Sequence, residues 1–161
     1  MGMREILFRG KAANRKPGYS YRTKYKNGEW VYGLLTEAEN YAGFAEMTNT
    51  SGVSGIEVDK NTVEQFTGLT DKNGKKIFEG DLLNGFQYPF YRSESAEHNY
   101  FAEVIWFTGN CAFGLYTHKH PTAKVKGISA GNADFVEDFN SDDWEVIGNI
   151  HDNPELLKEG E

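Results

Sequence analysis

A single cysteine, Cys111, among 161 residues excludes an intrachain disulfide, so no covalent staple can hold this chain together. None is needed, because a chain of this length buries roughly 70% of the surface its unfolded form exposes. Long hydrophobic runs are missing as well. The apolar start Ile6-Leu7-Phe8 is broken at once by Arg9 and Lys11, too short for the apolar core of a secretory signal. No stretch approaches the roughly 20 apolar residues of a membrane-crossing helix. Both absences lead us to expect a cytoplasmic protein with no membrane contact. A phosphate-binding loop is absent too: Gly10-Lys11 and Gly74-Lys75 lack the preceding glycine and following Ser or Thr of that motif. Hydrophobic residues make up only 39% and mean hydropathy is -0.63. Aromatics nevertheless reach 14%, which a disordered chain does not show. The expectation is one folded domain with long polar loops.

Charge is distributed unevenly. Residues 1–30 hold eight Lys and Arg against two Glu, a net +6, whereas residues 131–161 hold ten acids against Lys158, a net -9. The total of -7 speaks against a general nucleic-acid binder, whose affinity comes from many cations set against phosphates. The basic stretch is read first as a solvated strand edge kept soluble by its charges. Opposite signs at the two ends also favour pairing of the basic N-terminal hairpin with the acidic C-terminal region, within one chain or between copies in a homo-oligomer.

Periodicity points to β structure. Residues 5–9 predict a short strand. Tyr19, Tyr21, Thr23 and Tyr25 recur at every second position, Asn27-Gly28 predicts a type I′ turn, and Trp30 to Leu34 return as the second arm of a first hairpin. Thr36 followed by Glu39 fits a capping box and predicts a helical turn within 36–47, weakened by Gly43. Asp71-Lys72-Asn73-Gly74 is a turn without the alternating acids of a calcium loop. Residues 77–83, bent at Gly80, together with 103–107, 111–116 and 144–150, are expected to be strands of one small barrel. Residues 117–143 are expected to form one long loop with a short strand near 123–128. Asn153-Pro154-Glu155 predicts a short C-terminal helix capped by Asn153.

Four blocks carry a resemblance. They are Met3-Arg4-Glu5-Ile6-Leu7-Phe8-Arg9-Gly10-Lys11, then Asn27-Gly28-Glu29-Trp30-Val31-Tyr32-Gly33, the run from Val63 through Thr70-Asp71-Lys72-Asn73-Gly74 to Asp81, and the tail from Glu145 through Gly148-Asn149-Ile150-His151-Asp152-Asn153-Pro154 to Leu157. In this order they resemble the YopX family of bacteriophages and prophages of low-GC Gram-positive bacteria, over nearly the whole chain. The resemblance implies a mainly β fold with residues 67–161 as a small SH3-type barrel. Residues 1–66 are then an N-terminal β-rich segment, a hairpin extension, packed on it. No established activity comes with this family, so it supplies no catalytic residues. Residues 12–25, 84–102 and 117–143 follow no family pattern and are where this member would differ in its partners.

The candidate chemistry is thin. His118 and His120 share a strand face at a spacing that a metal could use, with Cys111 and His98 as the other soft ligands nearby, yet Pro121 and Lys119 make the segment read as a loop, and no metal is expected. Ala112 and Phe113 suggest that Cys111 is a buried, unreactive thiol. Asp142-Asp143 and Glu137-Asp138 read as a solvated acidic face. Phe86, Tyr88, Phe90 and Tyr91 are the candidate partner-binding residues, because Tyr and Phe offer large contact area at small entropic cost; core filling is the competing reading. The sequence thus leads us to expect a non-enzymatic accessory protein without cofactor that binds a phage or host protein. The alternative is a nucleic-acid-associated regulator using the basic N-terminal hairpin.

Overall fold

The structure, a computed structural model, describes residues 2–13, 25–85, 100–118 and 140–158, and the backbone of 133–135. It is mainly β, with two antiparallel sheets and one short helix. The chain divides into two compact units, Met1–Phe66 and Thr67–Glu161.

In the first unit β1 (Phe8–Lys11) pairs with β2 (Trp30–Glu37), β2 with β3 (Ala45–Asn49), and β3 with β4 (Ile56–Val58), while β5 (Glu64–Thr70) lies on the other side of β1. Alternation is clearest in β2, where Val31 and Gly33 are buried and Tyr32 and Leu34 exposed. The inward residues form a core of Ala12, Val31, Ala45, Met47, Ile56 and Val58. The sheet curls over this core until β4 meets the end of β1. An isolated bridge joins Ala12 to Val58, the Ala13 N–H donates to Glu57 O, and the Asp59 N–H donates to Lys11 O. Backbone groups that would otherwise form an open edge are thereby satisfied. Gly33 is required by close approach, since a Cβ there would stand 1.9 Å from the Thr48 carbonyl oxygen.

Two expectations for this unit are corrected. Strand Trp30–Glu37 pairs with Phe8–Lys11; residues 14–24, which include most of the expected first arm, lie outside the described residues. The 26–29 turn, closed by Glu29 N–H to Lys26 O, has positive φ at Gly28 and not at Asn27, the requirement of a type II turn and not of type I′. The expected helical turn within 36–47 is also absent. The Thr36 hydroxyl donates to Glu46 O instead of capping, and the buried Asn40 organises 40–44 as a loop. Its Oδ1 accepts from Ala42 and Phe44 N–H, and its Nδ2 donates to Glu46 and Glu57. An Asn that satisfies local N–H groups in this way competes with helix.

In the second unit β5 continues from Thr67 beside β6 (Lys76–Phe78). A five-stranded sheet follows in the order β10-β9-β8-β7-β11, comprising β7 (Asp81–Gly85), β8 (Tyr100–Phe107), β9 (Ala112–His118), β10 (Ala133–Phe135) and β11 (Trp144–Asn149). Ile77, Leu83, Ala102, Val104, Leu115 and Trp144 form its core. Gly85 makes room for Trp144, whose ring would lie 2.5 Å from a Cβ at that position. The Glu79-Gly80 bend between β6 and β7 is present, with Gly80 at φ 78.

Three of the four expected strands therefore share one sheet, and the 77–83 run splits between β6 and β7. Among the described residues neither sheet closes into a barrel, which corrects the expected closure. The physical reason is at β11: its outer edge is covered locally, because the Val146 N–H donates to Asp71 Oδ2 and Lys72 N–H to Trp144 O. The short C-terminal helix α1 (Glu155–Lys158) is present. Asn153 turns its side chain back to accept from the Asn149 N–H, so its expected side-chain cap is replaced by a carbonyl that receives Leu156 N–H. His118 belongs to β9 and is not in a loop.

Asp71 is buried and accepts N–H bonds from Asn73 and Lys75 on one oxygen and from Val146 on the other. Burial acts to raise its pKa, but these backbone donors and the Lys75 charge outweigh it, so the carboxyl titrates below its ordinary 3.8. Folding thus favours the ionised form. The resulting stability is complete above the ordinary value and is lost as pH falls through the lower, folded value.

Two outcomes follow from these contacts. Gly33→Ala should lower stability by about 1–3 kcal/mol or more through overpacking, read as the urea midpoint, whereas Gly109→Ala, whose Cβ meets nothing within 4 Å, should leave it nearly unchanged; equal midpoints would overturn the Gly33 argument. Asp71→Asn should cost about 1.5–3 kcal/mol at neutral pH, the worth of hydrogen bonds to a charged acceptor. That deficit should shrink as pH is lowered through and below 3.8; a deficit constant down to acid pH would show that charge plays no part.

Candidate binding surfaces

The outer face of the first unit is built by strand alternation. Register sets Arg9 opposite Tyr32 and Lys11 opposite Trp30, and Leu34 opposite Thr48. Trp30, Tyr32 and Leu34 therefore stand in a row along β2, with two cations across from them on β1. Tyr32 is 40% and Leu34 52% exposed. The Arg9 guanidinium carbon lies 4.6 Å from the centre of the Trp30 ring and Lys11 Nζ 5.2 Å from it, within the range of cation–aromatic attraction.

Arg9 is itself buried, as is Glu64, and both Nε and Nη2 of Arg9 lie 2.6 Å from Glu64 Oε2. A pair taken so far out of water is strongly interdependent, because loss of either partner leaves an uncompensated buried charge. It ties β1 to the start of β5 and holds the guanidinium beneath Trp30. Of the two cations on this face, Arg9 is balanced by this carboxylate.

The second unit carries a recess of about 200 Å³ lined by Thr67, Leu69, Ile77, Leu83, Val104, Phe113, Gly114 and Leu115. Its floor is core and its mouth is exposed, with Leu69 37% accessible. Phe113 at the mouth meets Trp106 edge to face, ring centres 4.9 Å apart, and Trp106 is 40% exposed. On the opposite face of the same sheet His118 Nε2 lies 2.9 Å from Glu103 Oε2, between the rings of Tyr116 and Phe101. This diagonal cross-strand pair joins β8 to β9.

Few of the residues singled out from sequence can be placed. Phe86, Tyr88, Phe90 and Tyr91 lie outside the described residues, as do His98 and His120. His118 and Cys111 are described, and among the described residues no three His, Cys, Asp or Glu side chains cluster as metal ligands. The expected burial of Cys111 is wrong. It is exposed and sits at φ 50 after the 108–110 turn, a left-handed conformation that ends the hairpin and turns the thiol away from the apolar strand behind it. Trp30, Tyr32 and Leu34 were not singled out as contact residues, although their period of two was visible. Leu69, Trp106 and Phe113 gave no pattern, because they converge from different strands.

A family model described as YopX protein matches residues 18–158. The chain belongs to the YopX family. Within the YopX chain, three of the four blocks that carry the resemblance lie inside the matched span, and the Asp71 and Asn149 turns are among them. Among solved structures, protein EF1440 from Enterococcus faecalis is similar at 23% identity and a TM-score of 0.42, over 95% of this chain and 98% of that one. No curated protein matches this chain.

Glu64→Gln should destabilise the protein by about 3–5 kcal/mol, since Arg9 then stays buried without its counter-charge, whereas the double substitution Arg9→Met with Glu64→Leu should recover most of the loss. Chemical denaturation of the three variants decides it. A double variant no more stable than Glu64→Gln would mean that the pair stabilises on its own account.

Proposed function

We propose that this YopX-family chain is a non-enzymatic phage or prophage accessory protein of the bacterial cytoplasm, and that it acts by binding a phage or host protein. The observation that carries the reading is the apolar recess of the second unit, with exposed Leu69 and Trp106 and the half-buried Phe113 at its mouth. Aromatic groups gathered around a recess are the usual anchors of protein interfaces, where a few such residues supply most of the binding energy. We liken residues 67–161 to an SH3-type module, which presents loops from short strands, and we keep Phe86, Tyr88, Phe90 and Tyr91 as further contact residues of the same reading. A second reading, association with nucleic acid, is favoured by the cations set beside Trp30.

The test compares capture from infected host cells by the wild-type chain and by the double variant Leu69→Ser, Trp106→Ala, whose far-ultraviolet circular dichroism and urea midpoint show whether it folds. A protein held by the wild type and reduced at least tenfold by the variant is expected. Equal capture by both would remove the recess from the reading.

A further inference from the structure

We propose that the outer face of β1 and β2 is a stacking platform for single-stranded nucleic acid, with Trp30 and Tyr32 taking two bases and Lys11 a phosphate. The inference rests on the first unit alone and is independent of the recess in the second. Its first ground is geometry. Same-face neighbours on a strand are about 6.7 Å apart, twice the 3.4 Å that a stacked strand advances per nucleotide. Trp30 and Tyr32 hold this spacing on β2, with Leu34 continuing the row. Aromatic side chains on an open sheet face are how several small β domains hold unpaired bases, because every base offers a ring face whatever its sequence.

The second ground is charge complementarity. The chain is acidic as a whole at -7, yet residues 1–66 hold nine Lys and Arg against eight Asp and Glu, so the deficit belongs entirely to residues 67–161. Within the first unit the charges are segregated along the strands. Lys11 lies beside Trp30, whereas Glu46 and Glu57 converge on Asn40. Arg9 is balanced by Glu64, which leaves its guanidinium to orient the indole while Lys11 supplies the charge. A polyanion is thus drawn to the Lys11 end of the row and repelled from the other. Residues 14–24 add Arg15, Lys16, Arg22 and Lys24 without an acid, so the sequence that joins β1 to β2 carries the same sign.

The protein as a whole repels a duplex, and a face with one uncompensated cation gathers few phosphates, so binding should be weak and selective for strands whose bases can splay. The full chain is titrated at low salt into fluorescein-labelled dT15, a 15-base-pair duplex, and dT15 in the presence of excess polyglutamate. Anisotropy should rise with dT15 at micromolar protein and hardly at all with the duplex. Tyr32→Ala, a change at an exposed position, should weaken binding roughly 5- to 100-fold, the range for loss of one stacked base, and Tyr32→Phe should restore it. Lys11→Ala should reduce the slope of log affinity against log salt by about 0.7. No rise with dT15 at 100 µM protein, equal affinity for duplex, or an unchanged titration with Tyr32→Ala would each overturn the proposal. So would full displacement of dT15 by polyglutamate at equal charge concentration, which would reassign the face to an acidic protein segment.

Discussion

The carboxylate of Asp71 is the contact on which the second unit most depends. Short strands joined by tight turns leave many backbone N–H groups at strand ends, and each must find an acceptor or bear the cost of burial. Asp71 serves three of them from one side chain: two inside its own turn and the third on Val146, an edge-strand residue 75 positions away. A local turn motif thereby becomes a long-range clasp. With Lys72 N–H on Trp144 O beside it, the β11 edge is covered without the sheet having to close on itself. Asn49 and Asn149 repeat the device on a smaller scale. Asn49 Oδ1 receives Ser51 and Val53 N–H, and Asn149 Oδ1 receives His151 and Asp152 N–H.

This explains which parts of the molecule could be read from residues alone. The Thr70 to Asp81 and Glu145 to Leu157 blocks are legible because their information is local: an Asx side chain, a glycine with positive φ and a proline each act on neighbours within four residues. That Asp71 would also reach Val146 is invisible, since no spacing rule links the two. The same limit spoiled the hairpin. Alternation marks a strand and its buried face, but β2 shows its period equally well whether its neighbour is Phe8–Lys11 or Tyr19–Tyr25, and partner choice depends on the curl that brings Ala12 to Val58.

The misreadings at Thr36 and Cys111 have a common cause. In both, a short pattern was weighed without the backbone conformation that decides it. Thr36 to Glu39 satisfies the capping-box spacing, yet four residues on, Asn40 accepts two N–H groups that a helix would need for its own ladder. Apolar neighbours suggested that Cys111 is buried, yet a residue at φ 50 does not continue the strand alternation that those neighbours follow. Trp30 and Tyr32 escaped attention for the converse reason. Their alternation was clear, but whether an alternate residue faces a core or solvent depends on what covers the other side of the sheet.

A rigid aromatic face and a buried ion pair are physically connected in the first unit. Long side chains lose rotamer freedom when they bind, and an interface formed from freely rotating Trp and Arg gives up part of its affinity to that ordering. Here Arg9 is already fixed by Glu64 at 2.6 Å and lies 4.6 Å from the centre of the indole, so the ordering of Trp30 occurs during folding and not during binding. Burying Arg9 and Glu64 costs desolvation that an apolar pair would avoid. What the ion pair supplies in return is a cation held in one place under one ring, a geometry that Met and Leu at these two positions would not reproduce. Stability and recognition thus pull in different directions at this site. The retention of charge where an apolar pair would fold as well is the strongest physical sign that this face is shaped for contact.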